Sequence, residues 1–288
     1  MSDLLIQADE LKARLQRPGC LVFDVRHDLA KPNAGREAYQ QGHIPHALYL
    51  DHEMQLCAPC TGQNGRHPLP DRADFAALMR AQGLTARSDV VVYDAGNSMF
   101  AAHLWWMLRW LGHESVAVLD GGWAAWLAAD GPVESGLHEA SISEAQALQG
   151  LVQTRQPSMP TVDARAVLGN LDEPRFTVLD ARAPERFSGQ VEPMDPVGGH
   201  IPGALNRPFV QNVQADGRFK PASQLRAEFE SLLGDRLDRG IVHQCGSGIT
   251  ACHNLFAMEL AGFRGSALYP GSWSEWCSNP DRPVAKGA

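Results

Sequence analysis

The sequence lacks an excess of positive charge. Its 25 Lys and Arg residues are outnumbered by 33 Asp and Glu residues, and the formal net charge is -8 at pH 7. Proteins that bind nucleic acid usually present a basic stripe to the phosphate backbone. We therefore expect no nucleic acid among the partners of this protein.

The sequence also lacks long hydrophobic runs and a dense array of cysteines. Its longest apolar stretch, MFAAHLWWMLRWLG, is interrupted by His103 and Arg109 and is too short to span a bilayer. The first residues, MSDLLIQADELKARLQ, contain no signal-peptide core. Six cysteines without regular spacing are typical of a compartment in which thiols stay reduced. The sequence thus predicts a soluble cytoplasmic protein with no membrane partner.

Two copies of one pattern fill the 288 residues. LVFDVR, which begins at Leu21, recurs as TVLDAR from Thr177, and GHIPHAL recurs as GHIPGAL. The separation between corresponding residues is nearly constant, which is the mark of an internal repeat. We expect tandem domains at residues 1–138 and 161–288, separated by a polar linker at residues 139–160.

Short β-branched runs alternate with helical patterns in each copy. The run from Val90 to Tyr93 is typical of a buried strand, and the segment from Ser98 to Trp110 has apolar residues at a helical spacing. This alternation predicts an α/β fold in which each domain is a mostly parallel sheet with helices on both faces. Ligands of such folds bind outside the carboxyl ends of the strands.

One strand-to-helix turn of the second copy contains a cysteine. It reads CGSGIT, from Cys245 to Thr250, whereas the corresponding turn of the first copy reads DAGNS. The glycines also fit a dinucleotide fingerprint. However, the next strand, SALYP, does not end in the acidic residue that would bind a ribose, and too few residues follow it for a dinucleotide-binding half.

The composition of this turn favours a thiolate. Gly246 and Gly248 allow successive N–H groups to point at the sulfur of the preceding cysteine, and the helix that begins near Ile249 adds its positive end. Ser247 and Thr250 offer hydroxyl donors. Both the N–H groups and the helix end stabilise sulfur as an anion. A buried, unreactive cysteine remains an alternative interpretation.

CGSGIT, the paired GHIP motifs, LYPGSWSEW and the tandem repeat together resemble the two-domain rhodanese family, over essentially the whole chain. The sequence is most similar to the 3-mercaptopyruvate sulfurtransferase branch of that family. The resemblance implies an inactive first domain and a catalytic second domain, in which Cys245 takes up sulfur as a persulfide. The sulfur then passes to a thiol or to cyanide, and a thioredoxin-like reductant is a further candidate partner. No metal or organic cofactor is implied.

Three alternatives to this activity stay open at this point. They are a thiosulfate sulfurtransferase (rhodanese), a low-turnover persulfide carrier or sensor, and a phosphatase. The phosphatase is disfavoured because its loop needs an arginine six positions after the cysteine to clamp a phosphate dianion, and Ala251 stands there.

The resemblance also implies roles for residues around the turn. Arg186, in ERFSG, matches the arginine that binds the anionic end of the donor, and the turn residues Gly246, Gly248, Ile249 and Thr250 would line the donor site. Glu53 and His67, in LDHEM and GRHPLP, match an acidic residue and a histidine that reach across the domain interface. With Ser247 they would form a proton relay.

Some of these assignments have ordinary structural alternatives. Arg186 could be a solvated surface arginine, and His67 could hold a turn before Pro68. The family often has a second arginine shortly before the second GHIP motif, but this chain has Met194 and Asp195 in that stretch. The departure puts the two-arginine clamp for the donor in question.

Other candidate residues are predicted to be structural. His43 and His200 occupy the same place in both copies, so we assign both to structure. The pair Cys57 and Cys60 is most simply a loop, with a metal site or a reversible disulfide as alternatives. Cys252 follows Cys245 by about two helical turns, too far for an unstrained disulfide.

Overall fold

The computed structural model describes residues 4–138 and 157–287, which form two compact units. The first unit is built from Met1–Cys57, Pro70–Ser158 and Ala215–Arg218, and the second from Ala58–Leu69, Met159–Gln214 and Phe219–Ala288. Most of the predicted linker, residues 139–156, lies outside the described residues. Contacts assign the short segment Ala58–Leu69, from the first copy of the repeat, to the second unit.

The first unit contains a sheet of five parallel strands in the order β1-β5-β4-β2-β3. Its elements are β1 (Leu5–Ile6), α1 (Ala8–Arg14), β2 (Cys20–Asp24), α2 (Ala34–Gln41), β3 (Leu48–Tyr49), α3 (His52–Gln55), α4 (Arg72–Ala81), β4 (Asp89–Tyr93), α5 (Met99–Leu111), β5 (Val116–Leu119) and α6 (Gly122–Ala128). The apolar run identified in the sequence forms α5, which packs against β4 and β5.

The second unit contains a sheet of four parallel strands in the order β7-β6-β8-β9. Its elements are α7 (Ala164–Asp172), β6 (Thr177–Asp180), α8 (Pro184–Phe187), β7 (Leu205–Asn206), a 3-10 turn (Phe209–Asn212), α9 (Ala222–Leu233), a second 3-10 turn (Gly234–Arg239), β8 (Ile241–Gln244), α10 (Ile249–Leu260), β9 (Ala267–Leu268) and α11 (Ser272–Trp276). The strand order β3-β2-β4-β5 of the first sheet recurs here as β7-β6-β8-β9, which confirms the predicted α/β repeat.

A buried ion pair at the carboxyl end of one strand recurs in both units. Asp24 accepts a hydrogen bond from Arg26 at 2.6 Å, and Asp180 accepts one from Arg182 at 2.7 Å. Each arginine also donates to the carbonyl of the glycine that begins a GHIP motif, Gly42 in the first unit and Gly199 in the second. Each guanidinium lies over a tryptophan ring, that of Trp123 or of Trp273. The recurring sequence motifs are therefore the parts of one buried framework. Losing one partner of such a pair costs about 3–5 kcal/mol.

The repeated histidines belong to this framework. His43 is buried and bonds the Tyr39 carbonyl through Nδ1 at 2.8 Å, and His200 bonds the Phe187 carbonyl in the same way. Both residues also form backbone bridges to a distant segment of their own unit. The structural role predicted for this pair is confirmed. Within the described residues, no helix has both the length and the apolar character needed to cross a bilayer.

Candidate active site

Cys245 lies directly after β8, an inner strand of the second sheet. Its side chain is buried, with 2% of its surface exposed. Its backbone N–H donates to the Ser272 hydroxyl at 3.1 Å, and its carbonyl accepts from the Trp273 N–H at 2.9 Å. The start of α11 therefore fixes the backbone from which the sulfur projects.

The sulfur of Cys245 lies at the N-terminus of α10. Its Sγ accepts a hydrogen bond from the Gly248 N–H at 3.2 Å. Gly248 caps the helix with φ of 91°, and a Cβ at this position would lie 2.7 Å from the Pro270 carbonyl oxygen, so the turn requires glycine here. The N–H group and the positive end of the 12-residue helix both stabilise negative charge on the sulfur.

Ser247 and His67 form a direct pair in the second unit. The Ser247 Oγ is 2.7 Å from the His67 Nδ1, and the serine is buried whereas the histidine is half-buried. His67 lies in the segment Ala58–Leu69, which carries it beside the turn that Cys245 begins. A serine hydroxyl bonded to an imidazole has the composition needed to move a proton. The structure brings these two predicted residues together, and their role as a relay stays a prediction.

The other predicted relay residue, Glu53, belongs to α3 of the first unit. Its carboxylate lies 3.6 Å from the His27 Nε2. The glutamate side chain is 38% exposed. Its place in the relay with His67 and Ser247 rests on the resemblance alone and stays a prediction.

Arg186 is held in an ion-pair cluster. From α8, its Nη2 donates to Glu192 at 2.7 Å and to Asp195 at 3.2 Å, and its Nε donates to Glu192 at 3.1 Å. Burial opposes ionisation of Glu192, but the hydrogen bonds and charge of Arg186 outweigh it and lower the pKa of that carboxyl. The side chain of Arg186 is only 18% exposed. A freely solvated arginine does not match this geometry.

The structure reveals a second arginine at the turn that the sequence interpretation missed. Arg66 pairs with Asp195, and its backbone N–H donates to the Ser274 hydroxyl at 3.0 Å. Its Nη2 would lie 2.8 Å from a Cβ placed on Gly246, next to Cys245. The available signal was the basic residue that immediately precedes His67 in GRHPLP, together with the shortage of arginine before the second GHIP motif.

The remaining turn residues and cysteines have plain structural settings. Ile249 is buried at the start of α10, and Thr250 is half-buried beside it. All six cysteines of the chain are free thiols. Burial, followed by the charges of nearby carboxylates, raises the pKa of Cys57 to about 12. Cys252 is also buried, and its thiol donates to the Gly248 carbonyl at 3.3 Å.

The chain is similar to known proteins over nearly its whole length. A family model described as a rhodanese-like domain matches residues 7–129 and 163–279. A probable 3-mercaptopyruvate sulfurtransferase of Pseudomonas aeruginosa is 47% identical, with 98% of each chain covered. A putative thiosulfate sulfurtransferase of Mycobacterium tuberculosis is 38% identical, with 99% of this chain and 97% of the other covered.

Solved structures of 3-mercaptopyruvate enzymes have the same fold. SseA from Escherichia coli, a 3-mercaptopyruvate sulfotransferase, is 32% identical with a TM-score of 0.81, and the match covers 94% of this chain and 99% of that one. The 3-mercaptopyruvate sulfurtransferase from Leishmania major is 28% identical with a TM-score of 0.82, and the match covers 98% of this chain and 76% of that one.

Proposed function

This chain belongs to the family of proteins with rhodanese-like domains, and from that premise we propose that it is a 3-mercaptopyruvate sulfurtransferase acting through a persulfide of Cys245. The observation that carries the proposal is the setting of Cys245 Sγ. It lies at the N-terminus of α10 with the Gly248 N–H at 3.2 Å, in the same turn as Ser247, whose hydroxyl contacts His67. This setting suits a thiolate nucleophile next to a proton-transfer pair.

In the first half of the reaction, the Cys245 thiolate attacks the sulfur of 3-mercaptopyruvate. A sulfur–sulfur bond forms while the donor's carbon–sulfur bond breaks, and the electron pair of that bond leaves with carbon as the enolate of pyruvate. The donor's thiol proton ends on this carbon to give the methyl group of pyruvate. Charge and atoms balance, because a thiolate and a thiol become a persulfide anion and a methyl ketone.

Ser247 and His67 are the groups that we assign to this proton transfer. Their 2.7 Å contact allows a proton to pass between the hydroxyl and the imidazole ring. Arg186 is assigned to the carboxylate of the donor, and backbone N–H groups of the turn to the anionic sulfur. Gly246, Gly248, Ile249 and Thr250 complete the proposed donor site. Glu53 remains the proposed third member of the relay.

In the second half of the reaction, the persulfide passes its outer sulfur to an acceptor. A thiol or cyanide attacks that sulfur, and the Cys245 thiolate leaves. A thioredoxin-like reductant fits this step chemically, because its thiolate would accept the sulfur. We also propose a cytoplasmic setting, since six free thiols suit a reducing compartment.

The decisive experiment is an intact mass after brief exposure to 3-mercaptopyruvate. We expect one added sulfur atom, mapped to the peptide that contains Cys245, and its loss when cyanide is added. An unmodified Cys245 peptide after exposure would refute the persulfide mechanism. If the persulfide forms, a second measurement follows its turnover with cyanide or a small thiol as acceptor. Repeated turnover would exclude a carrier or sensor that is loaded once and turns over little.

Thiosulfate is the second candidate donor, because one relative is named as a putative thiosulfate sulfurtransferase. The turn from Cys245 to Thr250 contains no Lys or Arg, so the turn itself offers the reacting sulfur only backbone and hydroxyl dipoles. Thiosulfate brings its dianion directly beside the reacting sulfur, where the turn itself supplies no cation, and this costs roughly one to two decades in rate constant. We expect a higher kcat/KM for 3-mercaptopyruvate with a common acceptor. Equal values, or a preference for thiosulfate, would change the assigned donor.

A further inference from the structure

Two guanidinium groups lie against Gly246, the residue that follows Cys245. A Cβ placed on Gly246 would lie 2.8 Å from the Arg66 Nη2 and 3.5 Å from both Nη1 and Nη2 of Arg186. The two side chains therefore approach the same point of the turn. A side chain at position 246 would displace the Arg66 guanidinium, so glycine here leaves room for that cation next to the reacting residue.

The backbone of Arg66 is fixed to the same part of the unit. Its N–H donates to the Ser274 hydroxyl, and the Ser274 N–H donates to the Gly246 carbonyl at 2.9 Å. Gly65, just before it, has φ of 87° and approaches so closely that a Cβ would lie 2.9 Å from the Gly271 carbonyl oxygen. Backbone contacts of Gly65 and Arg66 thus fix the main chain beside the turn, and the Arg66 side chain extends from that fixed point.

Asp195 holds the two guanidinium groups side by side. One of its carboxylate oxygens pairs with the Arg66 Nη1, and the other accepts from the Arg186 Nη2 at 3.2 Å. The Asp195 side chain is 3% exposed, so this bridge is shielded from solvent. The stretch in which the family often has its second arginine therefore contributes here the carboxylate that positions an arginine from elsewhere.

Each arginine keeps a nitrogen for a further anion. Within the described part of the chain, neither the Arg66 Nη2 nor the Arg186 Nη1 makes a hydrogen bond, and both lie next to Gly246. The Arg66 Nε is buried and also has no partner there. Guanidinium nitrogens in this arrangement match the two oxygens of a carboxylate.

The charge balance of the cluster depends on Arg66. Arg66 and Arg186, together with Arg182, offset three carboxylates, which belong to Asp180, Glu192 and Asp195. Without Arg66, the three carboxylates would outnumber the two remaining arginines. The surplus negative charge would then lie beside the turn and oppose both an anionic donor and the Cys245 thiolate.

We propose that Arg66 is a substrate-binding residue that holds the donor's carboxylate together with Arg186, with Asp195 as the positioning residue for both. The inference rests on the proposed function, because 3-mercaptopyruvate is the carboxylate donor. Arg66 takes the place of the second arginine that the sequence before the GHIP motif lacks. The donor's thiol end would then reach the Cys245 sulfur while its carboxylate remains near Gly246.

The test compares 3-mercaptopyruvate with its uncharged methyl ester in wild-type and Arg66→Met protein. For the acid, we expect kcat/KM to fall roughly 10- to 100-fold, mainly through KM, because a charge-assisted hydrogen bond is lost. For the ester, we expect a change below about threefold, since it brings no carboxylate to the site. Arg66→Lys keeps the charge and should recover part of the loss.

Arg175→Met is the matched control, because Arg175 is an exposed arginine of the same unit whose ion pair with Glu173 is solvated. It should leave both donors unaffected. Thermal unfolding of each variant checks the fold. Equal losses for acid and ester in the Arg66 variant, or no loss for the acid, would overturn the inference, since a purely structural residue affects both donors alike.

A second measurement does not depend on sulfur transfer. Iodoacetate and iodoacetamide alkylate the same thiol and differ by the carboxylate, so their rate ratio at Cys245 reports recruitment of an anion. We expect this ratio to fall roughly 10-fold in Arg66→Met. If the wild-type protein takes no sulfur from 3-mercaptopyruvate, the proposed function fails, and with it the assignment of the donor. The ratio still decides whether Arg66 recruits a carboxylate, and an unchanged ratio contradicts that role.

Discussion

Both units have a strand-to-helix turn at the same position of their fold, after β4 in the first and after β8 in the second, but the residue that begins the turn differs. The Trp123 N–H donates to the Asp94 carbonyl at 2.8 Å, and the Trp273 N–H donates to the Cys245 carbonyl at 2.9 Å. Asp94 follows β4 as Cys245 follows β8, so the two residues are structural equivalents. One copy thus has a carboxylate where the other has a thiol.

In the first unit, backbone N–H groups that follow Asp94 bind the carboxylate of that same residue. Asp94 is buried, and its carboxylate accepts four backbone N–H groups, those of Gly96, Ser98, Phe100 and Ala101. Burial raises the pKa of Asp94, and these four donors oppose the rise. In the second turn, the Cys245 Sγ accepts from the Gly248 N–H. The shared turn directs backbone N–H groups at the residue that follows the strand, four of them at a carboxylate in the first unit and one at the sulfur in the second.

The largest expected effect comes from removing the nucleophile. Cys245→Ser removes the sulfur from the second turn, so that neither turn contains a thiol. We expect the rate of sulfur transfer from 3-mercaptopyruvate to fall by at least roughly three orders of magnitude. Steady-state turnover and the intact mass after donor exposure measure this directly.

The matched controls are Cys252→Ser and Cys57→Ser. Burial is the main reason that the pKa values of both thiols are raised, so neither is an active nucleophile at neutral pH. Both variants should keep most of the activity. Substantial transfer by Cys245→Ser would erase the distinction between the two turns.

An intermediate effect is expected for the proton-transfer pair. His67→Gln keeps a polar side chain but removes the imidazole that contacts Ser247, so we expect kcat with 3-mercaptopyruvate to fall roughly 100-fold. His46→Gln is the control, because that histidine is exposed in the first unit. An unchanged kcat in the His67 variant would show that the contact between His67 and Ser247 is only structural. The cysteine would then be the only functional difference between the two turns.

The smallest effect on transfer is expected for Asp94→Asn. An amide cannot accept N–H groups on both sides, so two of the buried donors lose their partner and the first unit loses about 2–4 kcal/mol of stability. Urea unfolding measures this loss. The folded variant should retain kcat within about twofold, because the change is confined to the turn without a nucleophile. A large fall in kcat would show that the first turn takes part in the reaction.

The features that the sequence predicted well are those written in short, contiguous motifs. The alternation of strands and helices and the repeated GHIP motifs predicted two α/β domains correctly. The turn from Cys245 to Ile249 was interpretable because glycine, a small residue and the start of a helix act locally. His67 was assigned from the resemblance that its motif GRHPLP carries, and the structure places it against Ser247.

What could not be predicted depends on contacts between distant parts of the chain. Arg66 and Asp195 carry no mutual signal in the sequence, and their pairing follows only when the segment Ala58–Leu69 packs with the second unit. Asp195 was therefore interpreted as a missing arginine instead of as the partner of one. Glu53 was assigned from the same resemblance as His67, and its nearby partner in the structure is His27.

The inert thiol of Cys252 has a consequence for repair after oxidative damage. Burial, and then the nearby Cys245 sulfur, raises the pKa of Cys252 well above its ordinary value, so this thiol remains protonated and attacks poorly. If peroxide converts Cys245 to a sulfenic acid, we expect the protonated Cys252 thiol to be a slow trap for it. Recovery would then depend on a thiol from outside the protein, and so on the reducing power of the surroundings.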